Sequence, residues 1–119
     1  MVLVDTSVWI DHFRSTNRDL VALLAEGQVL THPCVIGEIA CGGHRQRQQI
    51  LGLLPLLPQA ALAKDSEVLG LIDDYELFGK GIGWIDAHLL SASLLSGAAL
   101  WTMDKKLARL AHAVGICAH

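Results

Sequence analysis

Hydrophobic and polar positions along the chain follow two patterns in alternation. Short, mostly apolar runs predict buried strands at residues 2–4, 28–31 and 98–103, with a last short strand at 115–118. Between these runs, apolar residues recur every three or four positions, as in an amphipathic helix, and Asn17, Gly27, Pro33 and Gly97 provide start and stop signals. The predicted helices span residues 8–14, 18–26, 33–41, 45–54, 65–78, 85–96 and 105–113.

This alternation of strands and helices predicts an α/β fold. We expect a three-layer α/β/α arrangement around a central, mainly parallel sheet of four to five strands. With 119 residues, of which 52% are hydrophobic, the chain is long enough for one core, so a single domain is expected over residues 1–119. The stretch from Pro55 to Ala63 contains two prolines and supports no clear assignment.

Composition narrows the expected location of the protein. The most apolar stretch, Trp84 to Trp101, contains Asp86 and His88, so no membrane span is predicted. Asp5 and Asp11 interrupt the first residues, which argues against a secretory signal. The three cysteines are an odd number without a CxxC pair, as expected for reduced thiols in the cytoplasm.

Four of the 12 acidic residues lie in apolar sequence instead of on polar helix faces. Asp5 follows Val-Leu-Val, Glu38 lies within Val-Ile-Gly-Glu-Ile-Ala, Asp86 follows Trp-Ile, and Asp104 follows Leu-Trp-Thr-Met. Burial of an ionised carboxylate is costly unless a partner compensates it, and no lysine or arginine is adjacent to Asp5, Glu38 or Asp86. In a parallel sheet all four lie toward one edge, so the simplest common partner is a cation.

Oxygen ligands without accompanying His or Cys favour Mg²⁺ or Mn²⁺ over zinc. Each acid also has a structural interpretation. Asp86 is well placed in the first turn of a helix and Asp104 is a good N-cap, whereas Asp5 and Glu38 lack an obvious capping role. The four acids together favour a cluster. His88, two residues after Asp86, is interpreted as structural.

The ordered set of motifs resembles the PIN-domain ribonucleases. It comprises Val-Asp-Thr-Ser near the start, a Glu in an apolar helix after the second strand, Trp-Ile-Asp-Ala-His-Leu-Leu and Leu-Trp-Thr-Met-Asp-Lys-Lys-Leu. The small size resembles the toxin of a VapBC-type toxin–antitoxin pair. The resemblance implies a PIN-like fold and a Mg²⁺-dependent endoribonuclease, with Mn²⁺ as an alternative ion. It also implies a VapB-like antitoxin partner and a homodimer.

The resemblance further implies the roles of individual residues. Asp5, Glu38, Asp86 and Asp104 match the four catalytic acids. From the chemistry of metal-assisted RNA cleavage we expect Asp5 and Asp86 to hold the main ion and Asp104 to complete or bridge the site. Glu38 is expected to bind through water or to orient the attacking water. Thr6 or Ser7 matches the hydroxyl beside the first acid, and Thr102 matches the hydroxyl before the last. Some family members carry a further acid just after the fourth, where this chain has Lys105 and Lys106. The number of bound ions, one or two, therefore stays open.

The net charge of −3 argues against an RNA partner. This argument weakens when the four candidate site acids are left out of the charge count. Eight acids then remain against nine lysines and arginines, and six of these could contact phosphates: Arg14, Arg45, Arg47, Lys80, Lys105 and Lys106. The basic turn at Arg45 and apolar residues of the first two helices could dock an antitoxin segment. These apolar residues are Val8, Trp9, Phe13, Leu20, Leu23 and Leu24.

Two other function classes stay open from the sequence. A haloacid-dehalogenase-like phosphatase also places Asp after its first strand, but it needs a second Asp at the position that Ser7 occupies. A non-catalytic RNA- or protein-binding module could use the acids to hold a structural ion, although four acids exceed what such an ion requires.

Overall fold

The computed structural model describes all 119 residues and contains a parallel sheet of three strands. The strands are β1 (Val2–Val4), β2 (Val29–Leu30) and β3 (Ala99–Trp101), in the order β2-β1-β3. In register, Leu3 lies opposite Leu30 on one side and Leu100 on the other. Central strand β1 is buried throughout, which explains its uninterrupted apolar sequence.

Seven α-helices connect and follow these strands. They are α1 (Thr6–Arg14), α2 (Arg18–Ala25), α3 (Pro33–Cys41), α4 (Arg47–Leu53), α5 (Asp65–Asp74), α6 (Trp84–Ser96) and α7 (Lys105–Ala113), with a short 3-10 turn at Leu54–Leu56. Helices α1 and α3 pack together, as do α5 and α6, while α6 and α7 contact β3. The predicted α/β class with a parallel sheet is confirmed, and none of the helices combines the length and apolar character that crossing a membrane requires.

The sheet has fewer full strands than the four to five expected. At its two edges, single parallel bridges join Thr31 to Gln59 and Leu100 to Ala118. The expected strand at residues 115–118 is therefore reduced to one bridge, between Ala118 and Leu100 of β3.

Helix α5 ends four residues earlier than its apolar pattern predicts. Glu76 takes a left-handed conformation with φ of 52°, and the amide of Leu77 donates to the carbonyl of Ile72 over 2.9 Å. This is the Schellman arrangement that closes a helix. The turn directs Leu77 inward, where it is 2% exposed, so core packing determines the end of the helix.

Strand β1 also marks the point where the order of the sheet reverses, because β2 and β3 flank it on opposite sides. In open α/β sheets, ligands bind outside the carboxyl ends of the strands at such a reversal. Asp5 follows β1 directly, and its amide donates to the carbonyl of Trp101 over 2.9 Å. The fold therefore places Asp5 at the position most favourable for a ligand.

Candidate active site

Asp5 is a buried carboxylate held by three hydrogen bonds. Its Oδ1 accepts from the Thr6 amide at 2.8 Å, and its Oδ2 accepts from the hydroxyls of Thr102 at 2.7 Å and Ser7 at 2.8 Å. The side chain is 7% exposed, and these donors compensate its removal from water. Asp5 is itself the N-cap of α1, so the expectation that Asp5 lacks a capping role is wrong.

Hydroxyl groups connect Asp5 to the segment after β3. Ser7 Oγ accepts from the Met103 amide at 2.9 Å, and Thr102 Oγ1 accepts from the Asp104 amide at 3.0 Å. Thr102 thus contacts Asp5 with its hydroxyl hydrogen and orients the backbone of Asp104 with its oxygen. Ser7 and Thr102, two of the three predicted supporting residues, are part of one hydrogen-bond network between the ends of β1 and β3.

Glu38 joins the same region through Thr6, whose hydroxyl donates to Glu38 Oε1 at 2.8 Å. The expectation that Glu38 is embedded in the core is wrong, since the residue is exposed. The neighbouring Val35 and Ile39 take the buried face of α3, which leaves Glu38 on the side facing water. Both hydroxyls after Asp5 are therefore used: Ser7 contacts Asp5, and Thr6 holds Glu38.

Asp104 is also exposed, which corrects the expectation that it is buried. It is the N-cap of α7, and its Oδ1 accepts from the amides of Lys106 at 2.9 Å and Leu107 at 3.3 Å. The carboxylate satisfies amides that the first turn of a helix leaves unpaired, so its structural interpretation is confirmed. Thr102, which contacts both Asp5 and the Asp104 amide, keeps this cap beside the buried acid.

Asp86 lies in the first turn of α6 and is half-buried. Its Oδ2 accepts from the Gly83 amide at 3.2 Å. Burial is the main cause that raises the pKa of Asp86, and the hydrogen bond from the Gly83 amide opposes it. The negative charges of Asp5 and Asp104 raise the pKa further, and the Lys106 ammonium lowers it. The carboxylates of Asp5 and Asp104 therefore both act electrostatically on Asp86.

Asp86→Asn is expected to stabilise the metal-free protein at neutral pH. Because the pKa of Asp86 in the folded protein lies above its ordinary value of 3.8, its ionisation disfavours folding at pH above the raised value. This penalty disappears below pH 3.8, where Asp86 is protonated in both states. Asn retains an oxygen that can accept from Gly83 but has no charge.

Thermal unfolding in the presence of a chelator, as a function of pH, measures this effect. The melting temperature of the variant should exceed that of the wild type at neutral pH, and the difference should shrink on acidification. Asp74→Asn, at the exposed end of α5, is the matched control and should change little. A variant that is equally or less stable than the wild type at neutral pH would contradict the proposed crowding of charges.

Lys106 has a position that the sequence did not single out from the other basic residues. Its ammonium donates to the Gly81 carbonyl at 3.1 Å and acts electrostatically on Asp86. A lysine in the first turn of a helix opposes the helix dipole, so this placement is unfavourable for α7 alone. A lysine at this unfavourable place in a predicted helix was a signal that the sequence already contained.

The donor set fits a hard divalent cation. All four acids offer oxygen atoms, as Mg²⁺ and Mn²⁺ prefer, and Asp5, Asp86 and Asp104 add negative charge that Lys106 balances only in part. In the structure as it stands, no three His, Cys, Asp or Glu side chains are close enough to share an ion. His88 contacts Asp65, which is not one of the four acids, with Nε2 3.3 Å from Asp65 Oδ1, in agreement with its structural interpretation.

A family model described as PIN domain matches residues 2–113, so the chain belongs to the PIN-domain family. Two relatives, from Mycobacterium tuberculosis strains CDC 1551 / Oshkosh and ATCC 25618 / H37Rv, are both named Ribonuclease VapC32. Each is 47% identical to this chain over 108 residues, covering 90% of the chain and 87% of the relative. The chain is thus a VapC-type member of the family, and this membership favours the PIN interpretation over a haloacid-dehalogenase-like phosphatase.

Solved structures with the same fold have low sequence identity. The crystal structure of FitAcB from Neisseria gonorrhoeae matches with a TM-score of 0.66 and 19% identity, over 99% of this chain and 96% of that chain. The structure of FitAB bound to an IR36 DNA fragment matches with a TM-score of 0.65 and 17% identity, over 100% of this chain and 94% of that chain. At such identities the likeness shows the fold alone.

Proposed function

We propose that this protein is a Mg²⁺-dependent endoribonuclease and the toxin of a type II toxin–antitoxin pair. The observation that carries the proposal is the junction of β1 and β3, where the charges of Asp5 and Asp104 act on Asp86 and the Thr6 hydroxyl donates to Glu38. The identity to proteins named Ribonuclease VapC32 supports RNA as the substrate. The unpaired cysteines fit a cytoplasmic location.

The four acids have distinct proposed roles. Asp5 and Asp86 would hold the main ion, Asp104 would complete or bridge the site, and Glu38 would contact the ion through water or orient the attacking water. A bound Mg²⁺ or Mn²⁺ would supply charge stabilisation and a lowered pKa of water for in-line phosphodiester hydrolysis.

Hydrogen bonds prepare these side chains for their roles. The hydroxyls of Ser7 and Thr102 donate to one oxygen of Asp5, which fixes the plane of the carboxylate. Thr6 orients Glu38 while leaving its carboxylate open to water, so Glu38 can accept a proton from a water molecule at the substrate phosphate.

Removal of divalent metal tests the proposal. Purified protein should cleave a mixed RNA pool in Mg²⁺, lose cleavage in EDTA, and regain it when excess Mg²⁺ is restored. Thermal unfolding gives a second readout, because a ligand at a hundred times its Kd stabilises the folded state by about 2.7 kcal/mol. Cleavage that persists in EDTA would contradict the metal site, and absence of RNA cleavage under all conditions would contradict the nuclease.

We further propose that an apolar segment of a VapB-like antitoxin docks between α1, α2 and α4. A groove of about 310 Å³ opens there, lined by Trp9, His12, Leu24, Ile50, Leu53, Leu54, Leu56 and Leu57. Leu56 is 79% and Leu53 is 59% exposed, an exposure of large apolar side chains that marks interaction surfaces.

The structure changes which residues serve this docking role. Val8 and Leu20 are fully buried, so their expected contribution to an antitoxin contact is wrong and they belong to the core. Trp9 and Leu24 line the groove. We also propose a homodimer, for which Leu69 on α5 and Leu95 on α6 offer exposed apolar contacts.

A further inference from the structure

Two exposed aromatic side chains flank the glycine-containing loop between α5 and α6. Phe78 is 63% exposed and Trp84 is 44% exposed, although both border a largely apolar cleft of about 190 Å³. Other residues that line the cleft are Ile72, Leu77, Ile82 and Ala87. Leu77, at 2% exposure, already packs into the core at this cleft. Core packing therefore does not explain the presence of the exposed rings of Phe78 and Trp84.

The cleft is adjacent to the candidate active site. Trp84 is the first residue of α6 and Asp86 lies two residues later. Gly83 lines the cleft, and its amide donates to Asp86 Oδ2 at 3.2 Å. A ligand in the cleft would therefore lie next to a carboxylate of the cluster.

The loop that borders the cleft has a defined shape. Gly79 and Gly81 have φ of 72° and 81°, a region that favours glycine. At Gly81 a Cβ would lie 2.9 Å from Lys106 Nζ, which donates to the Gly81 carbonyl. The Trp84 ring packs edge-on against His88 with centroids 4.7 Å apart. These contacts hold the loop and one ring in place, so the cleft is formed before any ligand arrives.

We propose that this cleft binds a nucleobase of single-stranded RNA, which stacks on Phe78 and Trp84 while Lys106 contacts the adjoining phosphate. The inference rests on the proposed ribonuclease function and assigns a base-binding subsite beside the cleaved bond. Unpaired RNA bases stack on aromatic side chains, and stacking accepts any base because every base has a π-face.

Charge favours a nucleotide as the occupant. The Lys106 ammonium has three N–H donors, and the Gly81 carbonyl uses one of them. Lys80 lies on the same loop and is exposed. An aromatic cleft with adjacent cations matches the base and the phosphate of a nucleotide, whereas an apolar segment of protein would leave the cations without partners.

RNA binding by cleft variants tests the subsite. In an Asp5→Asn background, Phe78→Leu and Trp84→Leu should each weaken binding of a fluorescein-labelled random RNA pool by about tenfold, while Phe78→Tyr and Trp84→Phe should stay near the parent value. In the active protein, the two leucine variants should raise KM with kcat changed by less than about twofold. Tyr75→Leu is the matched control, since Tyr75 is 48% exposed and does not line the cleft.

Tryptophan emission gives an independent signature of stacking. Trp9 and Trp101 are buried at 3% and 9% exposure, so RNA should quench mainly Trp84, and the quenching should be lost in Trp84→Phe. Unchanged RNA affinity and KM in both leucine variants would overturn the subsite while leaving the nuclease intact. Dissociation of a dimer with unchanged RNA affinity would overturn it in favour of a second copy of the chain. A wild type that neither binds nor cleaves RNA would overturn both proposals.

Discussion

Asp5→Asn is expected to reduce RNA cleavage on the order of a thousandfold. Metal-assisted charge stabilisation contributes several kcal/mol, and each 1.36 kcal/mol is a factor of ten in rate. The substitution removes the charge of the only one of the four acids that is buried, and it replaces one accepting oxygen by an amide nitrogen. With the remaining Asn oxygen at the Thr6 amide, the hydroxyls of Ser7 and Thr102 lose their acceptor.

The fold should survive this substitution. Asn is about as good an N-cap as Asp, so α1 keeps its first-turn hydrogen bond. Circular dichroism of the variant should match the wild type, and Mg²⁺ should no longer raise its melting temperature. Asp74→Asn serves again as the charge-matched control. An Asp5→Asn variant that cleaves within about twofold of the wild type would remove Asp5 from the proposed mechanism.

Leu56→Asp is expected to weaken antitoxin binding by at least about thirtyfold, or about 2 kcal/mol, without changing RNA cleavage by the free protein. Leu56 is the most exposed of the large apolar side chains and lines the groove between α1, α2 and α4. A carboxylate there would lose its water on docking and have no compensating partner in the apolar groove.

Co-purification and calorimetry with the product of an adjacent small DNA-binding-protein gene measure this effect. Leu62→Asp is the matched control, because Leu62 is 61% exposed and lies outside the groove. Equal loss of binding in both variants would indicate a non-specific apolar contact, and unchanged binding in Leu56→Asp would place the antitoxin elsewhere.

The elements that the sequence predicted correctly are those that short-range patterns specify. The uninterrupted Val2–Val4 run has no polar face, so it forms a strand buried on both sides. Asn17 accepts from the Leu20 amide and starts α2, as capping chemistry predicts. Helix α5 shows the limit of such patterns: its periodicity continues beyond Asp74, but burial of Leu77 favours a left-handed turn at Glu76.

The apolar neighbours of the four acids led to a wrong expectation about the burial of their side chains. Only Asp5 is buried, since it follows the central strand, whereas Glu38 and Asp104 are exposed. A helix in contact with the core buries one face only, so apolar neighbours in sequence do not imply a buried side chain. The order and identity of the acids were nevertheless sufficient for the PIN-domain resemblance, which the family match confirms.

By itself, the sequence determined the α/β class, the order of the elements and the acids that follow them, because these depend on residue type and on spacing within a few turns. Only the tertiary structure decided that Thr102 contacts Asp5 and that Thr6 holds Glu38, across 97 and 32 residues of chain. It also decided that Phe78 and Trp84 stay exposed beside Asp86. Such contacts depend on which strands are neighbours in the sheet and on how helices pack, and local patterns carry no information on either.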